Sequence, residues 1–168
     1  MLDLDAAIEL AEQQEQILQF PHFSRKDAWE LGKILVNHIL ERNLVLSVSI
    51  RLTSGLVLFQ YLTEGTTANN ESWMTRKFNV VRELETSSLL NMLRLKKRNQ
   101  SLENKGLDPK FYAMSGGAFP IRLKGSGLIG AVAASGLPHL ADHDAIISAI
   151  GRFLGIQNFP HIPLDAGV

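Results

Sequence analysis

Leu4, Ile8, Ala11 and Leu18 recur at spacings of four, three and seven residues, which lays one apolar stripe along a helix. The polar run Glu12-Gln13-Gln14-Glu15-Gln16 reads as that helix's solvated face. Phe20-Pro21 ends it, because the residue before a proline is pushed out of the helical region. A second helix opens at Ser24, where Asp27 three positions on approximates a capping box. Ala28, Leu31, Leu35, His38 and Ile39 line its inner face, and Asn43, which tolerates the left-handed conformation, stops it.

The period then changes from about 3.6 to 2. Leu46, Val48, Ile50 and Leu52 alternate with Ser47, Ser49 and Arg51, the pattern of a half-buried strand. Thr53-Ser54-Gly55 turns the chain, and Leu56 to Leu62 returns as a second strand, apolar on both faces. A polar loop from Glu64 to Asn70 leads into a helix over 71–85 with Met74, Phe78, Val81 and Leu84 inward. Glu85-Thr86-Ser87 breaks it and caps another over 88–102, with Leu89, Met92 and Leu93 apolar. Asn104 to Pro109 is a turn-rich connector. Residues 118–123 and 128–134 form a second hairpin around Lys124-Gly125-Ser126-Gly127. Its small residues Gly130, Ala131, Ala133 and Ala134 predict close packing of a helix. A last helix over 140–154 carries His143, Ile146, Ile147, Ile150, Phe153 and Leu154 on one side. Strands that arrive in antiparallel pairs between helices make the chain α+β, not doubly wound.

At 168 residues the chain has the length of one domain, 1–168. Seventeen Lys and Arg against 17 Asp and Glu give zero net charge, which argues against a dedicated nucleic-acid binder. The absence of Cys excludes a disulfide scaffold, a thiolate zinc site and a Cys nucleophile. No apolar run reaches the ~18 residues of a membrane span, and the N-terminal stretch is too acidic for a signal peptide, so a cytoplasmic protein without a membrane partner is expected.

Several groups invite a chemical reading. His139 and His143, four apart, can share a helix face and hold a metal, although no third ligand is visible. Equally, His143 lies on the buried stripe, while Asp142 and Asp144 suit the positive end of the helix dipole. Gly116-Gly117 lacks the rest of a phosphate loop but lets backbone approach a ligand closely. Ser115 has no nucleophile elbow around it. Arg94, Lys96, Lys97 and Arg98 either meet phosphate or complement a helix C-terminus in solvent. Trp73, near Arg76 and on one ridge with Lys77, offers a cation–π pair or an anion-facing edge; the alternative is a Trp anchor with a solvated Lys. Unspent apolar surface predicts a homo-oligomer with Trp73 and Phe78 at the contact, unless both fill the monomer's own core.

The run Gly116-Gly117-Ala118-Phe119-Pro120-Ile121, the strand Gly127 to Ala133, Ser135-Gly136-Leu137 and the pair Asp142-His143 together resemble the haem-degrading-domain superfamily, the GlcG/HbpS-like proteins. Asn70 to Lys77 with Asp142-His143 is similar to a branch of small cytoplasmic proteins with no settled activity. The resemblance covers residues 24 to 157. It implies a profilin-like antiparallel sheet of about five strands with helices on both sides, and homo-oligomers. It also implies a haem- or small-ligand-binding protein without strong catalytic equipment of its own, with assistance to haem breakdown as a candidate role and haem as a candidate cofactor. In that picture Arg76 and Lys77 pair with ligand carboxylates, Trp73 forms a flat wall, Gly116 and Gly117 approach the ligand, and His143 beside Asp142 ligates iron. Ser115 stands where the branch carries a His, so no ligand or acid–base role is carried over there. Two rivals stand beside it: an oligomeric adaptor or assembly protein, and a metal-assisted enzyme at His139 and His143.

Overall fold

The computed structural model describes residues 2–168. The elements are α1 (Leu4–Ile17), α2 (Arg25–Glu41), β1 (Ser47–Leu52), β2 (Val57–Leu62), α3 (Ala68–Leu84), α4 (Ser88–Lys97), β3 (Ala118–Arg122), β4 (Leu128–Ser135) and α5 (His139–Leu154), with a 3-10 turn over Leu102–Lys105. Ser24 and Asp27 close a reciprocal capping box at α2, and Thr67 and Asn70 close another at α3. The second box starts α3 at Ala68, earlier than the apolar pattern alone predicts. α4 stops at Lys97, short of the predicted Leu102, because Asn99 adopts the left-handed conformation just beyond it.

The sheet is antiparallel with strand order β2-β1-β4-β3. It has four strands where about five are expected. Phe20 is what remains of a fifth: it makes one parallel bridge beside β3, its N–H donating to Arg122 O at 2.8 Å and its O accepting from Lys124 N at 2.8 Å. Pro21 has no N–H to extend that ladder, so the pairing stays one residue long. β3 is the other edge, which accommodates Pro120.

Helices cover both faces of the sheet. Leu46, Val48, Ile50, Val132 and Ala134 pack with α2 and α5 in the main core. On the opposite face Ala118, Ala131 and Ala133 leave room for Met74, Phe78 and Val81 of α3. β1 is therefore not half-buried: Ser47, Ser49 and Arg51 lie under α3 and are buried as well. Arg51 satisfies its guanidinium there, donating to Ser49 Oγ at 2.9 Å, Thr75 Oγ1 at 2.7 Å and Glu71 Oε1 at 2.9 Å. Phe78, only 3% exposed, belongs to this layer, which corrects its reading as a subunit contact.

α1 packs on α4, and a third cluster joins Ala7 and Ala11 to Leu89, Leu93, Leu140 and Ile162. Arg94 pairs with Glu12 at 2.7 Å and Lys97 with Asp5, so half of the basic cluster ties α4 to α1. Gln14 is fully buried and not on a solvated face. No helix among the described residues is long and apolar enough to cross a membrane.

Phe20 has no exposed surface and meets Phe23 edge-to-face at 5.2 Å. Phe20→Ala is expected to lower the unfolding free energy by about 3–5 kcal/mol, through the cavity it leaves, as read from urea denaturation.

Candidate functional site

The end of β4 delivers the chain directly into α5, and α3 crosses beneath that junction. Lys77 of α3 donates to Asp142 Oδ2 of α5 at 2.8 Å and to Ala134 O of β4 at 3.1 Å. Asp142 Oδ1 accepts from Leu137 N at 2.9 Å. The two side chains are 4% and 2% exposed. Burial draws the Lys77 ammonium below the ordinary lysine range and raises the Asp142 carboxyl; their mutual attraction opposes both shifts. Gly117 passes against this pair, and Gly116 against the first turn of α5. A Cβ on Gly117, whose φ is +123°, would lie 2.6 Å from both Lys77 Nζ and Ala134 O, and one on Gly116 would lie 2.3 Å from His139 O. Only glycine allows that approach.

Above the pair opens a cleft of about 260 Å³, lined also by Asn69, Asn70, Trp73, Ser115 and His139. Of the residues singled out by sequence, Trp73, Lys77, Gly117 and Asp142 therefore meet, with Gly116 alongside. Arg76 does not join them. Its guanidinium stacks on the Trp73 ring at 4.1 Å and reaches Pro109 O at 3.4 Å, which makes it, and not Lys77, the cation partner of Trp73.

His143 lies on the far side, in the interior. It is 2% exposed, its Nε2 hydrogen bonds Gln14 Oε1 at 2.8 Å, and its ring meets Phe119 at 5.8 Å. Since an amide oxygen only accepts, Nε2 carries the hydrogen. Burial pushes the imidazole down to about 3, so it is neutral. Gln14 uses its amide nitrogen to donate to Pro160 O at 3.0 Å. With Nε2 engaged, an iron-ligand role for His143 would fall to Nδ1, which is buried without a hydrogen-bond partner, and the ring does not line the cleft where Trp73, Lys77 and Asp142 meet. Among the described residues no group of three or more His, Cys, Asp or Glu is arranged to hold a metal ion.

A larger groove, about 650 Å³, lies between α2, α5 and the tail after α5. Its walls are mostly apolar (Leu44, Ala145, Ile156, Phe159), and it collects His38, Arg42, Asp144, Arg152 and His161. His161 Nδ1 donates to Asp144 Oδ1 at 2.6 Å, which leaves Nε2 with the lone pair when the ring is neutral. His38 is kept neutral by burial and by Arg42, and its buried Nδ1 has no partner. Glu41 lies between the guanidinium groups of Arg42 and Arg152, at 3.5 and 3.7 Å. Sequence reading missed this site. His38 and Arg42, four apart on one helix, were a readable signal, whereas His161 lies in an irregular tail that no periodicity marks.

The family model for HbpS-like haem-degrading proteins matches residues 23–151. The chain belongs to that family. A UPF0303 protein of Serratia proteamaculans is 39% identical over 157 residues, covering 93% of this chain and 97% of the relative. Among solved structures, the Ybr137w protein aligns with a TM-score of 0.81 at 27% identity, over 88% of this chain and 87% of that one. A PduOC–haem complex shares the fold at a TM-score of 0.65 and 17% identity, over 84% of this chain and 99% of that one.

The HbpS-like chain's buried imidazole has a pH signature. His143 has a folded value below its unfolded 6.5, so its contribution is complete above about pH 6.5 and is lost as pH falls toward about 3. In that window only the unfolded chain takes the proton. Wild type is expected to lose stability there with an added slope of up to about 1.4 kcal/mol per pH unit. His143→Phe should remove that component in urea denaturations run across the same pH series.

Proposed function

We propose that this chain binds haem, or another flat amphipathic tetrapyrrole, in the groove between α2, α5 and the C-terminal tail. The observation that carries the reading is the Asp144–His161 pair: a carboxylate that orients an imidazole and leaves its Nε2 free is the arrangement metal-ligating histidines use. Size separates the two cavities. The groove's 650 Å³ falls inside the range of about 300–1,000 Å³ typical of organic ligand sites, and the cleft's 260 Å³ falls below it. Apolar walls suit a macrocycle, while Arg42 and Arg152 suit its carboxylates once these displace Glu41. Haem supplies a redox-active iron when bound; the chain's part is to hold it, through His161 with His38 nearby. Family membership and the haem bound to PduOC support the same class of ligand.

Hemin titration with visible spectroscopy tests this. A saturable, shifted Soret band is expected, and His161→Ala or Asp144→Asn should weaken binding by roughly 10–100-fold. Both positions are partly exposed, so the fold survives the change. A spectrum and affinity unchanged in His161→Ala would sink the groove reading.

The reading as an assembly protein keeps one observation of its own. β2 is an edge strand with no charged residue, and Leu56, Val57 and the nearby Trp29 are 47%, 42% and 57% exposed. Uncharged edges of this kind are ordinarily covered. Light scattering after size exclusion is expected to give a mass above the 18.6 kDa of one chain, and Val57→Lys should lower it. A monomer at micromolar concentration refutes the oligomer.

A further inference from the structure

The groove leaves the Lys77–Asp142 pair without a part to play. Removing both charges from water is costly, their attraction repays that cost only in good geometry, and an apolar pair of similar size often serves packing as well. The pair also stands in the wall of a cavity, not in solid core. Two of the three hydrogens on Lys77 Nζ go to Asp142 and Ala134; among the described residues the third has no acceptor. Gly117 closes off one side of the amine, and the cleft adjoins it. Asn69, Asn70 and Ser115 supply donors for the oxygens of a guest, and Trp73 supplies an apolar wall. Below the usual volume of organic ligand sites, the cleft suits a molecule of a few carbons.

We propose that Lys77 forms an imine with small aldehydes or ketones admitted to this cleft, with Asp142 relaying the protons. An ammonium proton passes across the 2.8 Å contact to Asp142 Oδ2, and the freed lone pair of Nζ forms a bond to the carbonyl carbon. The carbonyl π pair moves onto oxygen. Asp142 returns its proton to that oxygen to give the carbinolamine, then carries a second proton from nitrogen to the hydroxyl. Water leaves as the nitrogen lone pair closes C=N. The balance is Lys–NH₃⁺ plus R₂C=O to Lys–NH⁺=CR₂ plus H₂O, with no oxidant or reductant, and the Asp142 carboxylate remains as counter-ion. Burial favours the neutral amine and the neutral carboxyl, the two states the first step requires.

The test exploits the lysine census. The chain has eight lysines, and the seven besides Lys77 are exposed. Folded protein is given a brief pulse of limiting propanal, reduced with sodium borohydride and mapped by peptide mass spectrometry. An imine-forming Lys77 carries several times the reduced propyl adduct of the exposed seven on average, since only the free amine attacks and burial favours that form. A purely structural Lys77 is shielded and carries the least adduct, and that result overturns the proposal. Asp142→Asn should abolish the preference while circular dichroism stays native. If that variant fails to fold, wild type in urea replaces it: the preference must vanish there, and its persistence also overturns the proposal. Neither result bears on hemin binding in the groove, which this experiment does not involve.

Discussion

The pairing of β1 with β4 at the centre of the sheet, covered by helices on both faces, is the constraint from which the other features follow. Ser47 to Leu52 runs against Gly130 to Ser135 without an irregularity. α3 can lie close because the residues beneath it are Ala118, Ala131 and Ala133. Gly130 has no alternative, since a Cβ there would be 2.3 Å from Arg51 O across the strand pair. Covering the second face forces polar groups into the interior, where they find hydrogen-bond partners. Ser47 Oγ donates to Ser135 O at 2.8 Å, Arg51 finds Ser49, Thr75 and Glu71, and Lys77 finds Ala134 and Asp142. The cleft exists where this double covering ends, at the turn from β4 into α5.

The two cavities divide the chemistry by their walls. The small one is polar, neutral in sum and backed by a buried ion pair, so it selects by hydrogen bonds and by size. The large one is mostly apolar with cations at its rim and an oriented imidazole on the tail, the features on which the proposed tetrapyrrole binding rests. They lie on different sides of α5: Asp142 faces the cleft, while Asp144 and Ala145 face the groove. One helix thus separates a small polar cleft from a larger, mostly apolar groove.

What the sequence made legible was whatever repeats over a short span. The switch of period at Leu46, the two glycine-marked hairpins and the stripe from His143 to Leu154 are local, and the α+β architecture and the family resemblance follow from them. Long-range partners were illegible. Gln14 looked like part of a solvated face because its five-residue run is polar, yet its amide meets Pro160 across 146 positions of chain. His143 read as a ligand through its neighbour Asp142, but successive helix positions point in different directions: Asp142 turns to Lys77 and His143 to Gln14. α3 began early because Asn70 completes a cap with Thr67, a pairing that an apolar pattern cannot register.

The bridging amide of Gln14 has an energetic consequence for the groove. Its oxygen holds the buried imidazole of α5, and its nitrogen holds the carbonyl of Pro160, the residue immediately before His161. The tail that carries the groove's imidazole cannot lift away without leaving a fully buried amide half satisfied, a penalty of about 1–3 kcal/mol. α1, the tail and the inner face of α5 therefore share one opening equilibrium, and any guest that holds His161 in place also tightens the N-terminal helix on the opposite end of the chain.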